Sequence, residues 1–196
     1  MHLLIFITNM SFNLLEYLKN NPLLQEELPK DKWVDISSDE KTKYAKDIFD
    51  LINTAYAPIG GNLNYKSEAD VLGGEADADY ELIDIDDDPD PDALISYKKK
   101  GAGKKLTSMG HDGSKEAKSM SLNHMADLLK KPGYYLEVSG KLQDILLAKG
   151  APVVKDKDLI QKVLKGKKLE FNEDGTYQRF IGGEKHTKTL LGKPAI

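Results

Sequence analysis

The residues whose types and spacing suit chemistry fall mainly in a glycine-containing stretch and an acidic one. The first is Met109-Gly110-His111-Asp112-Gly113-Ser114-Lys115, where an extended run meets glycines and a helical run begins. A strand that stops this way and opens a helix presents free backbone N–H groups and the positive end of the helix dipole to an anion. Lys115 and Lys118 add positive charge. The same letters describe an ordinary strand-to-helix turn with Asp112 or Ser114 as its N-cap, and sequence alone leaves both readings open. In the acidic stretch, Asp84, Asp86, Asp88, Asp90 and Asp92 take every second position, with Asp87 between. Carboxylates at that spacing suit Ca²⁺ or Mg²⁺, but Pro89, Pro91 and the missing glycine break the calcium-loop pattern. The stretch therefore reads as a solvated hairpin tip, and no metal is assigned.

Composition limits what these motifs can mean. A chain of 196 residues with 40% hydrophobic content suits one domain that buries roughly two-thirds of the surface its unfolded form exposes. There is no cysteine, which excludes disulfides, thiolate zinc sites and a cysteine nucleophile and suits a reducing, cytoplasmic setting. Catalysis must then use oxygen or nitrogen groups. A formal charge of −4 argues against a surface that wraps nucleic acid, because phosphate neutralisation needs a basic face. The apolar opening Met1–Ile7 is only about a third of a membrane span and lacks a basic flank, so neither a membrane anchor nor a targeting signal is read. His111, His124 and His186 are too scattered to make a metal motif, and His124 is expected at the edge of its helix. Lys185-His186-Thr187-Lys188 reads as an exposed strand edge guarded by lysines.

Several elements must hold these residues in place. Ser11 caps a short accessory helix carrying Phe12, Leu14, Leu15 and Leu18, and residues 1–32 form an N-terminal segment around it. Trp33–Ile36 has the composition of a short strand. From Ser37-Ser38-Asp39, Tyr44, Ala45, Ile48, Leu51, Ile52, Ala55 and Tyr56 recur at three-four spacing and predict an amphipathic helix. A short helix over 67–72 follows. Tyr80–Asp86 and Ala93–Lys98 predict an antiparallel hairpin, and Lys105–Met109 a third strand running into the glycine stretch. A helix from Lys115 to Pro132, the strand Tyr134–Val138, a helix after Gly140, another near Asp158–Leu164, and extended pieces near 168–171, 177–181 and 186–191 complete the chain.

This order, over about residues 33–193, resembles the GNAT N-acetyltransferase superfamily. Met109–Lys115 falls where that family places its pyrophosphate-binding loop. The Gly-His-Asp-Gly-Ser turn and the segment Ile181–Pro194 resemble uncharacterised phage-type members. The resemblance implies an α+β fold with a mixed, mostly antiparallel sheet flanked by helices, residues 33–196 being the acyltransferase domain. It implies acetyl-CoA as co-substrate, with Met109, Gly110, His111, Asp112, Gly113, Ser114 and Lys115 at its pyrophosphate and Tyr134–Val138 as the second of a splayed pair of strands. The acceptor is then a primary amine on a small molecule or a protein. Because the family relies on a carboxylate or ordered water to take the proton and often a hydroxyl to return one, Asp84, Asp86 and Glu137 become candidate bases. Tyr134, Tyr135 and Ser139 become candidate acids, although both tyrosines also suit plain strand packing. The sequence departs from the pattern at Asp112, where glycine or alanine is usual, and in Lys141–Lys149, which lacks the family's frequent tyrosine. These departures give a competing expectation: a GNAT-like structural or interaction module without catalysis, in a stable complex or homo-oligomer.

Overall fold

The computed structural model describes residues 28–37, 40–57, 66–74, 78–86, 88, 90–100, 103–165 and 167–195. The accessory helix expected after Ser11 lies outside the described residues. In chain order the elements are β1 (Val34–Ile36), α1 (Ala45–Tyr56), α2 (Glu68–Gly74), β2 (Ala78–Ile83), β3 (Ala93–Lys100) and β4 (Gly103–His111). They continue as α3 (Lys115–Lys130), β5 (Tyr134–Val138), α4 (Gly140–Ala148), α5 (Lys157–Val163), β6 (Leu169–Phe171), β7 (Tyr177–Ile181) and β8 (Glu184–Gly192). The strands form one sheet ordered β1-β2-β3-β4-β5-β8-β7-β6. Every neighbouring pair is antiparallel except β4 and β5, which are parallel. The fold is thus mixed α+β with a mostly antiparallel open sheet and helices on its faces, as the order of elements implied.

Alternation along the central strands divides the core. In β3, Leu94 faces α1, joining Ile48, Leu51 and Ile52 with Tyr80 and Leu82. Its neighbour Ile95 faces α3, joining Tyr97, Leu106, Met125, Leu128 and Leu129. Burial of that many branched and aromatic side chains supplies most of the drive for folding, at about 25 cal/mol per Å² of apolar surface removed from water. A third cluster sets Ile160 and Val163 of α5 against Tyr135, Tyr177 and Leu190. Among the described residues, no helix is long and apolar enough to cross a membrane.

Four local departures from the sequence expectations have physical causes. The amphipathic helix starts at Ala45 rather than after Ser37, because Ser37 N–H and Oγ–H both donate to the Glu40 carboxylate, closing a separate turn first. Gly110 and His111, expected in a loop, are strand residues paired with Leu94 and Ala93. Gly110 is needed there for close approach: a Cβ would stand 2.9 to 3.0 Å from the backbone of Leu51 and Ile52, so α1 rides directly on β4. His124 turns inward instead of lying at a helix edge. Its ring stacks on Trp33 at 4.2 Å and its Nε2 meets the buried Glu81 carboxylate. Lastly, β8 sits inside the sheet between β5 and β7, so Lys185–Lys188 is only half an edge, paired with β7 on one side alone.

Candidate active site

The parallel seam between β4 and β5 is short. It is paired only at Lys104↔Tyr134 and Lys105↔Tyr135. Its closed end is tightly built: Lys104 N–H donates to Gly133 O at 2.7 Å, and a Cβ on Gly103 would lie 2.6 Å from the Tyr135 ring. Gly192, at φ +143°, lets β8 pass against the Tyr134 carbonyl where a side chain would collide. Beyond Lys105 and Tyr135 the ladder stops. Leu106 and Ser108–His111 pair only with β3 and Leu136–Val138 only with β8, and Met109 N–H donates to the Tyr56 hydroxyl, so the facing edges are not joined to each other.

A bulge in β4 marks the place where the strands part. Ser96 pairs with Ser108 but Tyr97 with Leu106, which leaves Thr107 as the extra residue. An extra residue bends the strand and raises its twist. It also lets Leu106 and Met109, three apart, pack into the same cluster under α3. Thr107 Oγ1 and Ser108 Oγ both bond Ser96 Oγ, at 2.7 and 2.5 Å, which pins the bulge.

At the open end of the seam, β4 delivers the chain to α3. Ser114 is the N-cap, its Oγ accepting from Ala117 N–H at 3.0 Å. Asp112 Oδ1 accepts from Ser114 N–H at 2.8 Å, and His111 Nδ1 accepts from Gly113 N–H at 3.1 Å. Gly113 has φ +103°, a conformation that favours glycine. His111 is buried, and burial, reinforced by nearby Lys118, lowers its pKa and keeps the ring neutral as an acceptor. The turn is thus capped by its own side chains, as the plain strand-to-helix reading expects, and Lys115 and Glu116 N–H are donors that an α-helix does not use internally.

The acidic stretch lies at this same end of the sheet. Asp92 O accepts from Asp112 N–H at 2.9 Å, joining the β2–β3 turn to the loop before α3. The tip is solvated as expected at Asp86, Asp88 and Asp90, but its base is not, since Asp84 and Asp92 are only 6% and 8% exposed. Tyr80 and Leu82 face α1 and alternation carries Asp84, the residue after β2, to the same face, while Asp92 precedes β3 just beyond the last pair, Ile83↔Ala93. Burial, then the charges of Asp92, Asp86 and Asp88, raise the Asp84 pKa; burial also raises that of Asp92, against two backbone hydrogen bonds.

The β5 candidates stand elsewhere. Tyr134 faces α3, its hydroxyl accepting from Lys104 Nζ at 3.0 Å, and Tyr135 faces α5, its hydroxyl accepting from Ala195 N–H. Ser139 Oγ accepts from Lys188 Nζ at 2.9 Å. Glu137 is held by Arg179 and by Lys105 and Lys167, each at 3.5 Å, while Tyr177 donates to it at 3.3 Å. Burial alone would raise the Glu137 pKa, but these three cations hold it below its ordinary value. Burial pushes Lys105 down to about 8. Sequence reasoning did not reach this cluster, although one signal was there: Arg179 is the chain's single arginine. From Asp84, just after β2, to Glu137 on β5 is three strand spacings, about 14 Å or more, so the carboxylate candidates do not form one constellation.

No family model and no curated protein matches this sequence. Among solved structures, the chain is similar to an aminoglycoside 6'-acetyltransferase type Ii at 11% identity and TM-score 0.49, covering 84% of this chain and 97% of that one. It is similar to RimL, a ribosomal L7/L12 alpha-N-protein acetyltransferase in complex with coenzyme A, at 9% identity and TM-score 0.45, covering 87% and 98%. It is also similar to a GCN5-related N-acetyltransferase from Rhodopseudomonas palustris at 11% identity and TM-score 0.42, covering 87% and 99%.

Proposed function

We propose that this protein is a GNAT-type N-acetyltransferase that binds acetyl-CoA in the slot between β4 and β5 and transfers the acetyl group to a primary amine. The observation that carries it is the seam: parallel strands paired at two positions, a bulge at Thr107 where they part, and a helix N-terminus at the open end. The strand edges suit the amide-bearing arm of the cofactor, which can take up their unpaired backbone groups. Lys115 and Glu116 N–H and the α3 dipole suit its pyrophosphate once the Asp112 carboxylate swings away from Ser114 N–H. Acetyl-CoA supplies the reactive thioester. The protein's part is to hold an amine against it, and the acidic turn beside the loop draws a cationic amine to that end of the sheet. Glu137, kept ionised by three cations, is a weak base, so the amine proton must be taken by another group.

A second reading has its own observation. The loop's donors at Gly113, Ser114 and Ala117 are all taken by the chain's own side chains, as in a GNAT-like module that has lost its cofactor. Isothermal titration with acetyl-CoA and with CoA separates the two. Micromolar binding that is lost in Gly113→Glu and kept in Gly113→Ala, which shares the backbone strain without the charge, supports the transferase. No heat at high ligand concentration rejects it and leaves the module.

A further inference from the structure

We propose that Asp84, Asp86 and Asp92 form a site for a hard divalent cation, Ca²⁺ or Mg²⁺, at the turn between β2 and β3. One ligand oxygen from each residue lies within 4.8 Å of the others, close enough to share one ion, since two oxygens on one Ca²⁺ at about 2.4 Å are at most twice that apart. Acidic clusters are common on surfaces, but this one is largely inside. Asp84 is 94% buried by its 6% exposure, and its Oδ1 is the carboxylate oxygen that, among the described buried side-chain atoms, has no hydrogen-bond partner. Asp92 lies beside it, a carboxylate oxygen of each being within 4.8 Å of the other, and like charges that close repel. Both burying an unpaired carboxylate oxygen and setting a second carboxylate against it cost free energy that a cation removes.

The surroundings fit a cation that organises this end of the sheet. Asp92 Oδ2 accepts from Ile85 N–H at 2.6 Å and Asp86 N–H at 3.3 Å, so backbone donors already orient that ligand. Asp86 is exposed and closes the site from the solvent side, where water completes the coordination. The site has only oxygen donors, which selects a hard ion over zinc or copper. Through Asp92 O and Asp112 N–H, an ion here stiffens the loop that opens α3. This inference does not depend on acetyl-CoA binding.

The test is thermal unfolding and calorimetric titration of the full chain with CaCl₂ and with MgCl₂. A midpoint that rises with one of these salts, at a concentration where NaCl of equal ionic strength has no effect, supports the site. Asp86→Asn, an exposed change that leaves the core intact, is expected to weaken binding at least tenfold, and Asp84→Asn to abolish the response. Asp90→Asn, exposed and outside the triad, is expected to keep it. Absence of any response to both cations overturns the proposal, as does an equal loss in Asp90→Asn and Asp86→Asn, which would mean diffuse attraction rather than a site. Should Asp84→Asn fail to fold, Asp86→Asn and Asp90→Asn decide alone.

Discussion

In the first half of the sheet, β1 to β4 form a meander in which neighbours in space are neighbours in sequence, while in the second half β8 is inserted between β5 and β7. Charge differs between the halves as well. The first half gathers carboxylates beside one another, and Asp47, Asp84 and Asp92 all have raised pKa values, Asp47 to about 6. In the second, one carboxylate, Glu137, is lowered by three cations, one of them Lys105 reaching across from β4. The halves meet at a seam paired only at Lys104↔Tyr134 and Lys105↔Tyr135. Continuity and charge thus change together where the two strand edges part, the junction to which the proposed function assigns the cofactor.

The largest effect expected comes from breaking the continuous half. Gly110→Val forces a branched side chain against the backbone of Leu51 and Ile52 and should cost about 3 kcal/mol, read as a lower denaturant midpoint. Removing the pivot of the second half costs less. Glu137→Gln leaves Lys105, Lys167 and Arg179 facing one another and should cost about 2 kcal/mol after allowing for their partial exposure. Because the folded pKa of Glu137 lies below the ordinary 4.5, its contribution is complete above that pH and is lost as pH falls through the lowered value. The gap between wild type and variant in a pH series of unfolding midpoints should close on the acid side.

Asp47 should behave in the opposite sense. Burial and then Asp90 raise its pKa from 3.8 to about 6, so its folded state is favoured when protonated; that advantage is whole below 3.8 and is lost as pH rises through about 6. Asp47→Asn should therefore be about 1 kcal/mol more stable than wild type at neutral pH and no more stable at pH 3, by thermal melts at both. The smallest change in stability is expected at Asp112. Asparagine also caps helices, so Asp112→Asn should shift stability by only about 0.5 kcal/mol while binding CoA several-fold more tightly, because the carboxylate at the α3 N-terminus is gone.

Much of the fold was legible because periodicity carries it. The three-four spacing of Ile48, Leu51 and Ile52 and the strand Tyr134–Val138 recur in the structure at the expected positions. The insertion of β8 was not legible, since strand order is set by which apolar faces meet rather than by any local pattern. At the candidate site, the strand-to-helix turn and its caps followed from Ser114 and Asp112 themselves. Burial of Asp84 could have been read by carrying the alternation of Tyr80 and Leu82 one step further; the run of neighbouring aspartates hid it. The cations around Glu137 come from β4, β7 and the segment before β6, and only tertiary packing joins them.

Hydrogen exchange along the backbone, with and without saturating CoA, tests the slot most directly. The account predicts slower exchange over 106–118 and 136–138, the two facing edges and the first turn of α3, with β1, β2, β6 and β7 unchanged. Protection confined to other segments, or none at a concentration that saturates known CoA-binding proteins, would contradict it.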